Sequence, residues 1–223
     1  MNVDHLDRRG AGAASGRPQG AGGTARPPVR GPAVFLDKDG TVLQDVPYNA
    51  DPGRMRFEPG ARAGLARLAR LGMPLIVISN QPGIGLGKIA PQDLVAVRNR
   101  LSDMFREAGA ALAGFYYCPH HPRATVARYA CLCACRKPAP GLLRLAAACH
   151  DVDLRQSWFV GDILDDVEAG RRAGCRTILL DNGHETEWLA GAWRIPERIE
   201  PDLDAASRWI SVQCPRTGSG GTA

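Results

Sequence analysis

The sequence predicts an α/β fold, a doubly wound parallel sheet with helices on both faces and no large cap domain. Three observations predict it. Short apolar runs alternate with helical patterns through the body of the chain, as they do in repeated strand-helix-strand units. Carboxylates, a hydroxyl and cations stand where those runs end, which suits an open sheet whose site lies beyond the carboxyl ends of its strands. A length of 223 residues allows one good core plus a small insert.

The elements follow in chain order. Strands are expected at 33–37, 75–79, 114–118, 157–160 and 177–180, each short and apolar because parallel strands are covered on both faces. Helices fill the gaps. Pro59 can open one with the apolar face Leu65, Leu68 and Leu71, stopped by Gly72 before Pro74. Pro91 opens another through Leu94, Val97, Leu101, Met104 and Phe105, ending near Gly109. Pro140-Gly141 leads into Leu142, Leu143 and Leu145, and a last helix over 165–173 closes at Gly174.

The run Val34-Phe35-Leu36-Asp37-Lys38-Asp39-Gly40-Thr41 drives an apolar strand into two carboxylates one residue apart, then into a glycine turn. On an extended segment Asp37 and Asp39 point the same way past Lys38. One can then attack phosphorus while the other moves a proton, and both can approach a Mg2+ ion. Taken alone, the run also reads as a solvated strand-to-turn exit, since turns are rich in Asp and Gly. Three further places favour chemistry. Val160-Gly161-Asp162-Ile163-Leu164-Asp165-Asp166 repeats the layout, Ser79-Asn80 ends the apolar run from Pro74, and Arg136-Lys137-Pro138 supplies cations before a helix.

With those four motifs in that order, the chain resembles the haloacid dehalogenase superfamily of phosphatases, from about residue 32 to about residue 183. Within it, the chain is most similar to the heptose bisphosphate and histidinol-phosphate phosphatases, on Phe35-Leu36-Asp37-Lys38-Asp39-Gly40-Thr41, Ser79-Asn80-Gln81, Cys118-Pro119-His120-His121-Pro122 and Cys133-Ala134-Cys135-Arg136-Lys137-Pro138. The resemblance implies a Rossmann-like sheet and a phosphoric monoester hydrolase. Asp37 would be the nucleophile, Asp39 the acid and base, and Ser79 and Lys137 the groups that hold the phosphoryl oxygens. Mg2+ would sit on Asp37, Asp39 (through its carbonyl) and Asp162. Asp166, chosen over Asp165 on the family's spacing, would support Lys137 or the metal's waters. Asp45, Tyr48, Ser79, Asn80, Gln81, Arg136 and Lys137 would surround the substrate.

Two connections exceed the usual two to six residues. The first, 41–57, is too short for a separate cap. The second, 118–137, holds one close pair of soft ligands and then another, the pattern of a structural Zn2+ that staples a loop lacking its own core. Cys118, His120, Cys131, Cys133 and Cys135 compete with His121 for four positions. The family layout selects Cys118, His120, Cys133 and Cys135. The zinc would act at a distance by fixing Arg136 and Lys137.

Composition bounds the rest. Seven clustered cysteines favour metal ligation and free thiols over a secreted disulfide frame. The net charge is +5, but residues 1–30 hold five arginines against Asp4 and Asp7, and 212–223 hold only Arg216. The body is left near neutrality, so no nucleic-acid partner is expected. The Gly, Ala, Pro and Arg leader offers little apolar surface and reads as disordered. The expected organisation is a leader over 1–30, a phosphatase domain over 31–211 and a flexible tail over 212–223. No stretch approaches the roughly 20 apolar residues of a membrane span; a cytoplasmic monomer acting on a small phosphorylated sugar is expected. Heptose 1,7-bisphosphate cleaved at position 7 leads, although Pro82, Leu86 and Ile163 stand where relatives carry polar handles. Histidinol phosphate or another small phosphomonoester is the alternative, and a non-catalytic zinc-stapled binding module is a third, distant one.

Overall fold

A computed structural model describes residues 30–214; the leader through residue 29 and the tail from 215 lie outside the described residues. Six parallel strands form one sheet: β1 (Val34–Leu36), β2 (Leu75–Asn80), β3 (Leu112–Cys118), β4 (Trp158–Gly161), β5 (Arg176–Leu180) and β6 (Arg198–Glu200). Their spatial order is β3-β2-β1-β4-β5-β6. The chain order therefore reverses at β1, with β2 on one side and β4 on the other, and the crevice beyond that switch point is where an open α/β sheet binds its ligand.

The alternation of strand side chains sorts the core into two layers. Val34, Leu36, Leu75, Val77, Trp158 and Val160 face one layer, where they meet α1 (Ala61–Ala69), α3 (Asp93–Glu107) and α6 (Leu203–Gln213). Phe35, Ile76, Ile78 and Phe159 face the other, with α4 (Gly141–Cys149) and Ala169 of α5 (Leu164–Ala173). Both faces are covered, which is why these strands read as continuous apolar runs. Gly174 takes φ 99° and closes α5, as its position after the helical pattern predicts.

Besides short 3-10 turns, two α-helices and one strand exceed the expected set. A four-residue helix, α2 (Pro82–Gly85), follows Gln81. The edge strand β6 has only Arg-Ile-Glu, with Ile199 half exposed, so no apolar run announces it. Helix α6 starts at Asp202, whose carboxylate accepts from the Ala205 amide at 2.7 Å, and buries Leu203, Ala206 and Ile210. It runs through Val212 and Gln213, so ordered structure passes the expected boundary at 211. Among the described residues no cap domain intervenes between the strands. The 41–57 connection folds back on itself through Gln44 N to Arg56 O and Glu58 N to Val42 O, both 3.0 Å.

Candidate active site

The Asp37 amide donates to the Val160 carbonyl at 2.9 Å, continuing the β1–β4 ladder for one more residue. That bond aims the Asp37 carboxylate into a cleft of about 320 Å³ beyond the strand ends. Lys137 reaches the same point from the start of the segment before α4. Its Nζ lies 2.6 Å from Asp37 Oδ1 and 2.6 Å from Asp166 Oδ1. Asn80 holds the Lys137 backbone at both ends, with the Lys137 amide donating to Asn80 Oδ1 at 3.0 Å and Asn80 Nδ2 donating to the Lys137 carbonyl at 3.1 Å. Asn80 borders the cleft, yet its amide is committed to placing Lys137.

Asp162 completes the floor at the end of β4. Thr41 Oγ1 donates to its Oδ1 at 2.8 Å, and His184 Nδ1 stands 3.1 Å from its Oδ2. Carboxylate oxygens of Asp37, Asp162 and Asp166 all fall within 4.8 Å of one another. Burial pushes the Asp37 carboxyl up to about 7, with Lys137 pulling against it and Asp166 adding to the rise. Burial and the Asp37 charge likewise take Asp162 to about 7. Burial raises Asp166 to about 6 against the pull of Lys137. For Lys137 burial acts downward, but Asp166 and Asp37 outweigh it and the net direction is up. Three buried carboxylates thus share one ammonium, and the surplus negative charge favours a further cation.

Asp39 stands apart from that trio. Its carboxylate meets Lys38 Nζ at 2.6 Å and Gln81 Nε2 at 3.2 Å. Gln81 also donates to Ser79 Oγ at 2.8 Å, so it bridges the ends of the first two motifs. Ser79 is buried at the cleft wall, and Asp45, Tyr48 and Arg136 border the cleft farther out. Lys88 Nζ lies 3.9 Å over the Tyr48 ring, a cation–π contact that holds a positive charge at that rim. Of the two neighbouring aspartates, Asp166 meets Lys137 while Asp165 is held by Arg194 at 2.5 Å.

The soft ligands gather next door. Cys118 is the partner of Asn80 across β2 and β3. Its Sγ lies 3.5 Å from His120 Nδ1, 3.6 Å from Cys133 Sγ and 3.3 Å from Cys135 Sγ. Cys135 Sγ is in turn 3.2 Å from both Cys133 Sγ and His120 Nδ1. Hydrogen bonding within the group, from Cys118 above all, lowers the Cys135 thiol to about 5, while the same pairing raises Cys118. A thiolate is the form that binds metal. His121 instead accepts from the Arg123 amide at 3.1 Å, and Cys131 is exposed. The cluster also reaches the cleft, since the Arg136 amide donates to Cys133 Sγ at 3.3 Å and Arg136 Nη1 to the His120 carbonyl at 3.4 Å.

Thr41 and His184 contact Asp162 directly, and behind them Asn182 donates to the Gly40 carbonyl and Glu58 lies near His184; none of the four was expected as a site residue. For Asn182 and His184 the available signal is position: they lie within four residues of the end of β5, at the strand end where the sites of such sheets lie.

The HAD-hydrolase-like family model matches residues 134–206. A relative from Escherichia coli (strain K12), named D-glycero-beta-D-manno-heptose-1,7-bisphosphate 7-phosphatase, is 32% identical over 179 residues, 80% of this chain and 87% of its own. This chain belongs to the haloacid dehalogenase-like phosphatases. It is an enzyme of the phosphoric monoester hydrolase class. The Vibrio cholerae phosphatase of the same name is 36% identical over 149 residues, 67% of this chain and 80% of its own. Among solved structures, the D,D-heptose 1,7-bisphosphate phosphatase from B. bronchiseptica, complexed with magnesium and phosphate, matches with TM-score 0.70 and 31% identity over 82% of this chain and 99% of that one. A HAD-like phosphatase from Mesorhizobium loti matches with TM-score 0.73 and 30% identity, covering 89% of this chain and 94% of that one.

Proposed function

We propose that this haloacid dehalogenase-like phosphatase removes the 7-phosphate of D-glycero-D-manno-heptose 1,7-bisphosphate through an aspartyl-phosphate on Asp37. The observation that carries the reading is the Asp37 carboxylate, buried at the sheet's switch point and paired with Lys137 at 2.6 Å. Asp37 attacks phosphorus in line, and the bond from phosphorus to the sugar oxygen breaks. Asp39, its side chain 28% exposed, protonates that oxygen and then takes a proton from the water that attacks the aspartyl-phosphate. Lys137 and Ser79 hold the phosphoryl oxygens. Asp166 orients Lys137, and Gln81 orients Asp39 and Ser79.

The all-oxygen set at the cleft floor suits Mg2+, which takes few protein carboxylates and keeps several waters. Asp37, Asp162 and the Asp39 carbonyl would hold it; its charge offsets that of the phosphoryl oxygens. The magnesium in the B. bronchiseptica relative supports this assignment. A pH dependence follows. With Asp37 and Asp162 raised to about 7, their folded-state contribution is full below about pH 4 and is lost as pH rises through about 7. The ionised pair is the form that would hold Mg2+, and the bound ion would offset the lost contribution. Saturating MgCl2 is therefore expected to raise Tm more at about pH 8 than at about pH 5.5, and equal shifts in melting curves would count against this ligand set.

Three thiols and one imidazole fit a closed tetrahedral Zn2+ and leave no position for catalysis. We assign Cys118, His120, Cys133 and Cys135 to it. Elemental analysis is expected to find about one zinc per chain, lost in Cys133→Ser and kept in Cys131→Ser. Losing the zinc would also release the loop that holds Arg136 through Cys133 Sγ and the His120 carbonyl, so turnover is expected to fall with zinc content. Zinc content unchanged in Cys133→Ser would overturn the ligand set.

The substrate is tested by kcat/KM over sugar monophosphates, sugar bisphosphates and histidinol phosphate. Arg136 lines the cleft, and in this reading it would take the second phosphate by charge-assisted hydrogen bonds. Arg136→Ala is expected to lower kcat/KM on the bisphosphate by about 10-fold or more, as loss of such bonds costs about 1.5–3 kcal/mol. Equal efficiency of the wild type on mono- and bisphosphates would remove the heptose assignment. Seven unpaired thiols support a reducing, cytoplasmic setting for what we take to be a monomer. Among the described residues, no helix is long and apolar enough to cross a membrane.

A further inference from the structure

The connection between β5 and β6, residues 181–197, carries no regular secondary structure. Stretches of that length in a compact domain are usually functional. Its first residues are tied to the catalytic loops at three points. Asn182 Nδ2 donates to the Gly40 carbonyl at 2.7 Å, His184 Nδ1 faces Asp162 Oδ2 at 3.1 Å, and Glu185 Oε2 accepts from the Leu164 amide at 2.6 Å. Farther along, Arg194 grips Glu168 of α5 at 2.7 Å as well as Asp165. The segment is a strap across the two loops that carry Asp37 and Asp162.

Gly40 shows how close the strap comes. At φ +79° it adopts a turn that side chains disfavour, and a Cβ there would stand 2.0 Å from Asp162 Oδ2 and 2.4 Å from His184 Nδ1. On its other side, His184 Nε2 lies 3.7 Å from Glu58 Oε1, longer than a hydrogen bond. Glu58 is itself fixed by its amide bond to the Val42 carbonyl at 3.0 Å. The imidazole thus spans two carboxylates, one of them at the cleft floor.

We propose that His184 is a positioning residue for Asp162, fixing the rotation of the carboxylate that receives Mg2+. The inference rests on the reading of Asp162 as a magnesium ligand. As a magnesium ligand Asp162 would be ionised and could only accept, which makes Nδ1 the donor to Oδ2, while Thr41 donates to Oδ1 at 2.8 Å. Two donors on two oxygens leave the group no free rotation. With His184 removed, Asp162 pivots about its bond to Thr41 and binds metal less well, as loss of groups that orient a ligand generally causes. Asn182 and Glu185 hold the strap in register through backbone groups of the two loops.

The test is calorimetric titration of the full-length protein with MgCl2, beside steady-state kinetics, for the wild type, His184→Ala, His184→Phe and His184→Asn. Phe fills the space without a nitrogen; Asn restores an amide donor near the place of Nδ1. Mg2+ affinity is expected to fall about 10-fold in the Ala and Phe variants and to stay within about 3-fold of wild type in Asn. Substrate KM should not move, and kcat should largely recover at saturating Mg2+. A folded Ala or Phe variant that binds Mg2+ like the wild type overturns the inference, and so does a raised KM with unchanged Mg2+ affinity, which would make His184 a substrate contact. A wild type that takes up no Mg2+ removes the metal reading, and the inference falls with it; wild-type binding with unaltered variants sinks the inference alone.

Discussion

Asp37→Asn is expected to reduce turnover by at least about 10⁴-fold, the scale of losing a covalent nucleophile, while leaving a folded protein. Asparagine keeps the shape but cannot attack phosphorus. Lys137 retains Asp166 as a partner at 2.6 Å, so the buried ammonium is not abandoned, and Tm should change by only a few degrees. Asp39→Asn should cost less, about 10²–10⁴-fold, because it removes proton transfer but not the nucleophile. Kinetics on the preferred phosphate ester, with a melting curve for each variant, separates the cases. Asp37→Asn turnover above about 1% of wild type would exclude the covalent route.

Lys137→Ala should damage both stability and activity. Lys137 is the only cation within 4 Å of Asp37 and Asp166 among the described residues, and both carboxylates are buried. Removing one member of a buried ion pair leaves an uncompensated charge and costs about 3–5 kcal/mol. In a domain of this size that corresponds to a Tm fall on the order of 10 °C. The effect should be largest near pH 8 without Mg2+, where the carboxylates are ionised, and smaller near pH 5.5, where protons relieve them. Turnover should fall as well, since the cation proposed to hold the phosphoryl oxygens is gone. The double variant Lys137→Met with Asp166→Asn should regain part of the stability but not turnover, because Asp37 stays buried without its partner. A single variant that melts within about 2 °C of wild type at pH 8 would show that the pair contributes little.

The strand and motif framework was legible because it is local. An apolar run of four to six residues, its alternation, and the carboxylates at its end are written contiguously, and so are the close soft-ligand pairs at Cys118 and His120 and at Cys133 and Cys135. The number of zinc candidates was legible, but the choice among six came from family layout and not from spacing. The tertiary arrangement puts four of them within 4.8 Å and leaves His121 and Cys131 outside. The choice of Asp166 over Asp165 has the same standing: the two are adjacent on α5, and only the helix's placement directs one to Lys137 and the other to Arg194.

What the sequence by itself determined is the fold class, the order of the four motifs and the kind of chemistry their side chains can perform, because each depends on residues within a few positions of one another. The tertiary structure alone decided which groups meet. Asn80 pairs with a backbone 57 residues away, the Asn182 amide reaches Gly40 across 142 residues, and His184 meets Asp162 and Glu58 through a strap that has no periodic pattern. Edge strand β6 and helix α6 belong with these, since α6 is ordered by packing against α1 and β6 by pairing with β5. A contact between distant residues depends on the packing of the elements that carry them, and local propensity does not specify that packing.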